Sequence, residues 1–199
     1  MGHQINSGMR PIYRFLDVDN YQDLSDQLYD FVVNHTEILK PFDPVFFTDV
    51  DVAYTLAHVP LLKEFLSLRF LVPTKMSVIV VPANSKPNLH VDTADPFVRI
   101  LWPVRNCTGS QTKFYDIPRE CLRLTNLPDG VFFYDIIEQR EWQSLEEFEL
   151  TAPVVFDASV AHEVHPSPDA TGHRISFTIG FDRDLPISKS VKAWFGFQR

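Results

Sequence analysis

The stretch "NLHVDTADPF", residues 88 to 97, places a histidine and an aspartate one residue apart, directly after an apolar run. In an extended strand successive side chains point to opposite faces, so residues two apart share a face. His90 and Asp92 therefore project together, with Asn88 beside them if the extended backbone starts that early. An imidazole nitrogen beside a carboxylate oxygen is half of a metal site, two members of a catalytic triad, or one hydrogen-bonded pair. The rest of the chain bears on the choice.

The remaining candidates gather in "FDASVAHEVHPSPDATGHRISFTIGFD", residues 156 to 182. His162 follows His90 by 72 residues, and Arg174 follows His162 by 12. From Arg174 the sequence alternates. Ile175, Phe177, Ile179 and Phe181 form an apolar row, and Arg174, Ser176, Thr178 and Gly180 form the other. A row of Arg, Ser and Thr behind an apolar face lines either solvent or a polar barrel interior. Two histidines and a carboxylate are the facial triad of non-haem iron sites, which leaves coordination positions open. Those positions need a co-substrate, and an arginine deep in a barrel can clamp its carboxylate through a bidentate pair. A Ser–His–Asp hydrolase is the competing chemistry, but the chain has no G-x-S-x-G elbow.

Two segments have the periodicity of helices. In residues 19–35 Tyr21, Leu24, Leu28, Phe31 and Val32 fall at helical spacing, with Asp19 or Asn20 available as a cap. Residues 60–70 start with Pro60, acceptable in a first turn, and carry Leu61, Leu62, Phe65 and Leu66 on one side. Strands are expected at 75–82, 97–104, 112–117, 130–136, 152–158 and 174–181. Helices first and many short strands after predict a mainly β fold, a β-sandwich or jelly roll braced by N-terminal helices. No repeat or linker interrupts it. One domain over 1–199 is expected, with a helical part at about 1–72, a β core at about 73–184 and an extension at 185–199.

Composition narrows the function classes. Seventeen phenylalanines and fifteen prolines against seven glycines suit a β-rich body with stiff loops. A net charge of −8 argues against a broad nucleic-acid surface, which needs clustered Lys and Arg. No apolar run is long enough for a membrane span, and the first residues lack the apolar core of a secretory signal. Cys107 and Cys121 are too few for a disulfide scaffold and too far apart for a zinc pair. Two free thiols in a reducing cytoplasm are the expectation.

The ordered set of His90, Asp92, His162, Arg174 and Ser176 resembles the 2-oxoglutarate- and Fe(II)-dependent dioxygenases of the double-stranded β-helix (jelly-roll, cupin-like) fold. The stretch also resembles their aspartyl/asparaginyl hydroxylase-like branch, which includes free-proline hydroxylases. There an arginine and a proline follow on the next strand, matched here by Arg99 and Pro103. The late segment matches in the order Phe156–Asp157, His162, Arg174, Asp182, and the likeness covers roughly 73 to 184. His165 stands where that branch often has Asn, and Ile100-Leu101-Trp102 where it often has a second His. The fold and chemistry are expected to survive those changes, whereas the substrate is left open.

The resemblance implies one Fe(II) held by His90, Asp92 and His162, and 2-oxoglutarate anchored by Arg174 with help from Ser176. Ascorbate is admitted as an auxiliary reductant. Arg99 is either a solvated strand residue or a second anchor for 2-oxoglutarate. The implied reaction uses dioxygen to hydroxylate an amino-acid side chain or small metabolite, presented as a small molecule or peptide. Halogenating relatives replace the Asp92 carboxylate with a small residue, so its presence implies hydroxylation.

Plainer readings stand beside these. A lone His90 is a surface or hydrogen-bonded histidine, and a lone Arg174 a structural ion pair. A cupin-like barrel that binds metal or a small molecule without oxidation is the alternative function. His165 competes with His162 as distal ligand; the preference is His162, with His165 near the metal's surroundings or the substrate. Trp102, Trp142, Trp194 and Phe195 read as packing, and His3, His35, His58 and His173 as non-functional.

Overall fold

A computed structural model describes residues 11–35, 46–85, 88–92, 98–126, 132–138 and 140–181. Asp182, the 185–199 extension with Trp194 and Phe195, and His3 lie outside the described residues. The element order is β1 (Tyr13–Phe15), α1 (Tyr21–His35), β2 (Phe46–Val50), α2 (Val52–His58), α3 (Pro60–Leu68), β3 (Lys75–Val81), β4 (His90–Val91), β5 (Val98–Arg105) and β6 (Gln111–Tyr115). A short 3-10 turn (Arg119–Cys121) leads to β7 (Leu122–Asn126), β8 (Phe132–Ile136), β9 (Ser144–Glu149), β10 (Val154–Asp157), β11 (Ala161–His165) and β12 (Arg174–Gly180).

The strands form two antiparallel sheets, a jelly roll. One runs β1-β10-β5-β12-β3-β2 and the other β7-β8-β4-β11-β6-β9. All six expected strand regions contain strands. Six more, β1, β2, β4, β7, β9 and β11, carry too little hydrophobic alternation to be read from sequence; β9 is SLEEFE and β4 only two residues. Helix α2 was also unforeseen. It is short, and its start is fixed by Asp51, whose side chain accepts a hydrogen bond from the Tyr54 amide. Helix α3 ends before the expected Phe70, which takes a left-handed φ of 54°.

The first sheet is covered on both sides. On its outer face Val78, Val80, Ile100, Trp102, Val104, Ile175, Phe177 and Ile179 pack beneath Leu28, Phe31 and Val32 of α1 and Leu62, Phe65 and Leu66 of α3. On its inner face Leu101, Val154 and Phe156 meet Phe114 and Phe148 of the second sheet. Every residue of β12 is buried. Its Arg174, Ser176 and Thr178 row therefore points into the barrel and not to solvent.

Trp102 clamps α1 to this sheet. Its ring meets Phe65 edge-on at 5.1 Å, and its Nε1–H donates to Ser25 Oγ at 3.0 Å. The Ser25 hydroxyl donates in turn to the Pro103 carbonyl at 2.7 Å. Ser25→Ala removes the partner of a buried indole N–H, which costs about 1–3 kcal/mol. Urea unfolding is expected to show a lower midpoint at unchanged slope.

Candidate metal centre

Strands β4 and β11 lie side by side in the second sheet with His90 directly opposite His162. Directly opposed residues share a face, so the pairing alone brings both imidazoles together inside the barrel. Asp92 follows just past the end of β4, its backbone N–H bound to the Ala158 carbonyl at 3.2 Å. The donor atoms of His90, Asp92 and His162 all lie within 4.8 Å of one another, a group that can hold a metal ion. Rings of Phe114 and Phe156 stand 5.8 and 5.4 Å from His162 and wall its side of the site with apolar surface.

Backbone contacts orient both histidines. His90 Nδ1 lies 2.8 Å from the Asn88 carbonyl, and His162 Nδ1 lies 2.8 Å from the Val160 carbonyl. A carbonyl only accepts, so each Nδ1 carries the hydrogen. In the neutral ring Nε2 then presents its lone pair to a metal.

Asp92 is held at both oxygens. Its Oδ1 lies 3.4 Å from His90 Nε2, and Oδ2 lies 3.0 Å from Arg99 Nη1. Arg99 is thus no solvated strand residue: it is buried, and the partner seen here is the metal-site carboxylate. Burial pushes Asp92 upward, but Arg99 and then His90 outweigh it and hold the carboxyl far below the usual range. Burial pulls His90 down, yet its hydrogen bond and charge attraction to Asp92 leave it above the ordinary value. Burial, reinforced by His90, lowers His162 to about 4.

Further into the barrel lies Arg174, 2% exposed. Its Nη1 donates to Ser176 Oγ at 3.0 Å, while Nε and Nη2 find no partner among the described residues. Across the barrel Thr112 of β6 is buried with its hydroxyl likewise unpartnered. Thr112 stands two residues from Phe114, which pairs with His162, and so lies one inward position away from the histidine level. Sequence reading missed it. Its alternation with Phe114 in "QTKFY" was the available signal.

His165 is not part of this site. It stands three residues from His162 on one strand and so faces outward, where Nε2 lies 2.8 Å from Glu163 Oε1. The same oxygen accepts the Tyr115 hydroxyl. Asp157 organises the turn before β11, accepting from the Ser159 amide and hydroxyl at 2.9 and 2.6 Å. Trp102 is core, as expected, and Trp142 lies half-buried with the Arg140 guanidinium 4.0 Å from its ring centre.

The sequence matches no family model and no curated protein. Solved structures do match. The α-ketoglutarate-dependent epimerase SnoN of nogalamycin biosynthesis aligns with a TM-score of 0.55 at 13% identity, covering 86% of this chain and 78% of that one. HygX of Streptomyces hygroscopicus, solved with nickel and 2-oxoglutarate bound, gives 0.53 at 10% identity over 88% and 84%. The carbocyclase SnoK gives 0.53 at 10% identity over 86% and 80%. At such identities the likeness is one of fold: the chain shares the jelly roll of these 2-oxoglutarate-dependent oxygenases.

The geometry separates the two candidate histidines. His162→Ala is expected to abolish Mn(II) or Fe(II) binding, whereas His165→Ala retains it, as calorimetric titration will show. The affinity should also depend on pH. His90 keeps its proton above the ordinary 6.5, and a metal must displace it from Nε2. Affinity is expected to climb as pH rises through His90's raised value and then to level off. Calorimetry in two buffers of different ionisation enthalpy should register proton release on the low side of that value.

Proposed function

We propose that the chain is an Fe(II)- and 2-oxoglutarate-dependent oxygenase that hydroxylates an amino-acid side chain, free or in a protein, or a small metabolite. The observation carrying this reading is Arg174, a buried charge in the same barrel as the triad whose Nε and Nη2 lack partners among the described residues. Leaving a buried charge without its partner costs roughly 3–5 kcal/mol. A ligand carboxylate reaching inward from a metal would remove that cost. The residues present fit both groups.

In this reading His90, Asp92 and His162 hold the iron. Arg174 binds the far carboxylate of 2-oxoglutarate through a charge-assisted fork, with Ser176 fixing the guanidinium and Thr112 offering a neutral donor. Iron and 2-oxoglutarate, when bound, supply with dioxygen the oxidative decarboxylation that is coupled to insertion of one oxygen atom into a C–H bond. Arg99 occupies Oδ2 of Asp92, which leaves Oδ1 turned toward the histidine nitrogens as a single-oxygen donor. Asp92 would thus offer the metal one oxygen, with the other kept by Arg99. Phe114 and Phe156 keep water from the His162 side.

An amino-acid substrate is supported by the sequence likeness to the aspartyl/asparaginyl hydroxylase-like branch. Two of the residues carrying it, Arg99 and Phe156, are cross-strand neighbours beside the site, and Pro103 pairs with Ser176.

The test is calorimetric titration of 2-oxoglutarate into the Mn(II)-loaded protein, followed by a succinate-release screen with Fe(II) over amino acids and peptides. Arg174→Lys keeps the charge but loses the fork. It is expected to weaken 2-oxoglutarate binding about tenfold or more while metal affinity is retained, since such contacts contribute about 1.5–3 kcal/mol. Unchanged 2-oxoglutarate affinity in that variant would overturn the assignment.

A further inference from the structure

Along the second sheet, the strand beyond β4 on the side away from β11 is β8, and Asp135 lies directly opposite His90. Opposed residues share a face, so Asp135 points to the same side of the sheet as the metal-site histidine, about one strand spacing away. Phe133, two residues earlier on β8, shares that face and sets its ring edge-on to His90 at 6.0 Å between centroids. Arg123 of β7 stands opposite Asp135, one strand further out. From the other sheet the Phe47 ring closes on the same corner, 5.8 Å from the Arg99 guanidinium carbon. None of these residues belongs to the triad or to the Arg174 end of the barrel.

We infer that Asp135, flanked by Phe133, is the specificity-determining residue for the oxidised substrate, and that it takes a protonated amine. The inference rests on the oxygenase reading for its chemistry, though not for its geometry. Moving outward along the sheet from His90, the first ionic group is a carboxylate. Its partner, Arg123, is 3.5 Å away, and the two side chains are 65% and 39% exposed. A pair so long and so wet contributes little and gives way readily to a better-placed cation. Among the described residues the remaining Asp135 oxygen accepts its neighbour's amide, Ile136 N–H at 3.0 Å, which holds the carboxylate without neutralising it. The nearer cation, Arg99, is already engaged by Asp92. An aromatic face beside a carboxylate is the chemistry that selects an ammonium over a neutral or anionic group. With the nitrogen one strand away from His90, the carbon presented to the metal lies a few bonds along the substrate chain.

Three matched probes test this: 3-phenylpropylamine, its N-acetyl derivative and 3-phenylpropionate, titrated calorimetrically into Mn(II)-loaded protein with and without 2-oxoglutarate. The amine is expected to bind at least tenfold more tightly than the other two. Asp135→Asn should remove that preference, weakening the amine roughly 10- to 100-fold, the size of one charge-assisted contact. Asp135→Glu should restore part of it. Equal binding of all three probes, tighter binding of the propionate, or a preference that persists in Asp135→Asn overturns the inference. If the wild-type protein binds no 2-oxoglutarate yet prefers the amine, the oxygenase reading fails and Asp135 stands as an amine-binding residue alone. If it binds 2-oxoglutarate without preferring the amine, the reverse holds.

Discussion

A strand with no solvent-facing side constrains everything around β12. Its odd row of Ile175, Phe177 and Ile179 is covered by α1 and α3, and its even row of Arg174, Ser176 and Thr178 faces the second sheet. Polar groups inside a barrel must find partners there, because water cannot reach them. Ser176 and Thr178 do, the latter through the Ser77 carbonyl. Among the described residues Arg174 does so at one nitrogen only. The helices that look like an appendage are what make this possible: without their cover the apolar row would have to turn inward and the polar row outward.

The metal-site carboxylate shows how charge is distributed along the barrel. Asp92 sits between a histidine and Arg99, both on its own level, so its charge is balanced locally. Among the described residues Arg174 pairs with no such carboxylate. The barrel is therefore close to neutral around Asp92 and positive around Arg174. Neither histidine leans on a carboxylate through Nδ1; peptide carbonyls of the local chain do that work, so the ligand geometry depends on backbone conformation at Asn88 and Val160.

The triad was legible because a strand's two-residue period converts His–X–Asp into a shared face, and because a distal histidine and Arg–X–Ser follow in order. The strands carrying the two histidines were not. β4 is two residues long and β11 alternates too weakly to announce itself. Once β11 is known, parity alone sends His165 to the opposite face from His162, which is why the expectation of His165 near the site failed. Phe133 and Asp135 were invisible for another reason. They reach the site through cross-strand register, and the sequence states no register between strands that pair across long separations. Arg99 was visible as a residue, but its partner was not, since an arginine's reach admits several.

Cys107 lies close enough to Arg174 for each to perturb the other's charge. Burial nevertheless holds its thiol above the ordinary range, and the sulfur donates to the Ile175 carbonyl at 3.2 Å. The thiolate, not the thiol, is the form that oxidants attack. The Cys107 sulfur is thus kept in the inert form, its S–H spent on a backbone carbonyl. The packing that buries Arg174 also shields this thiol from oxidants.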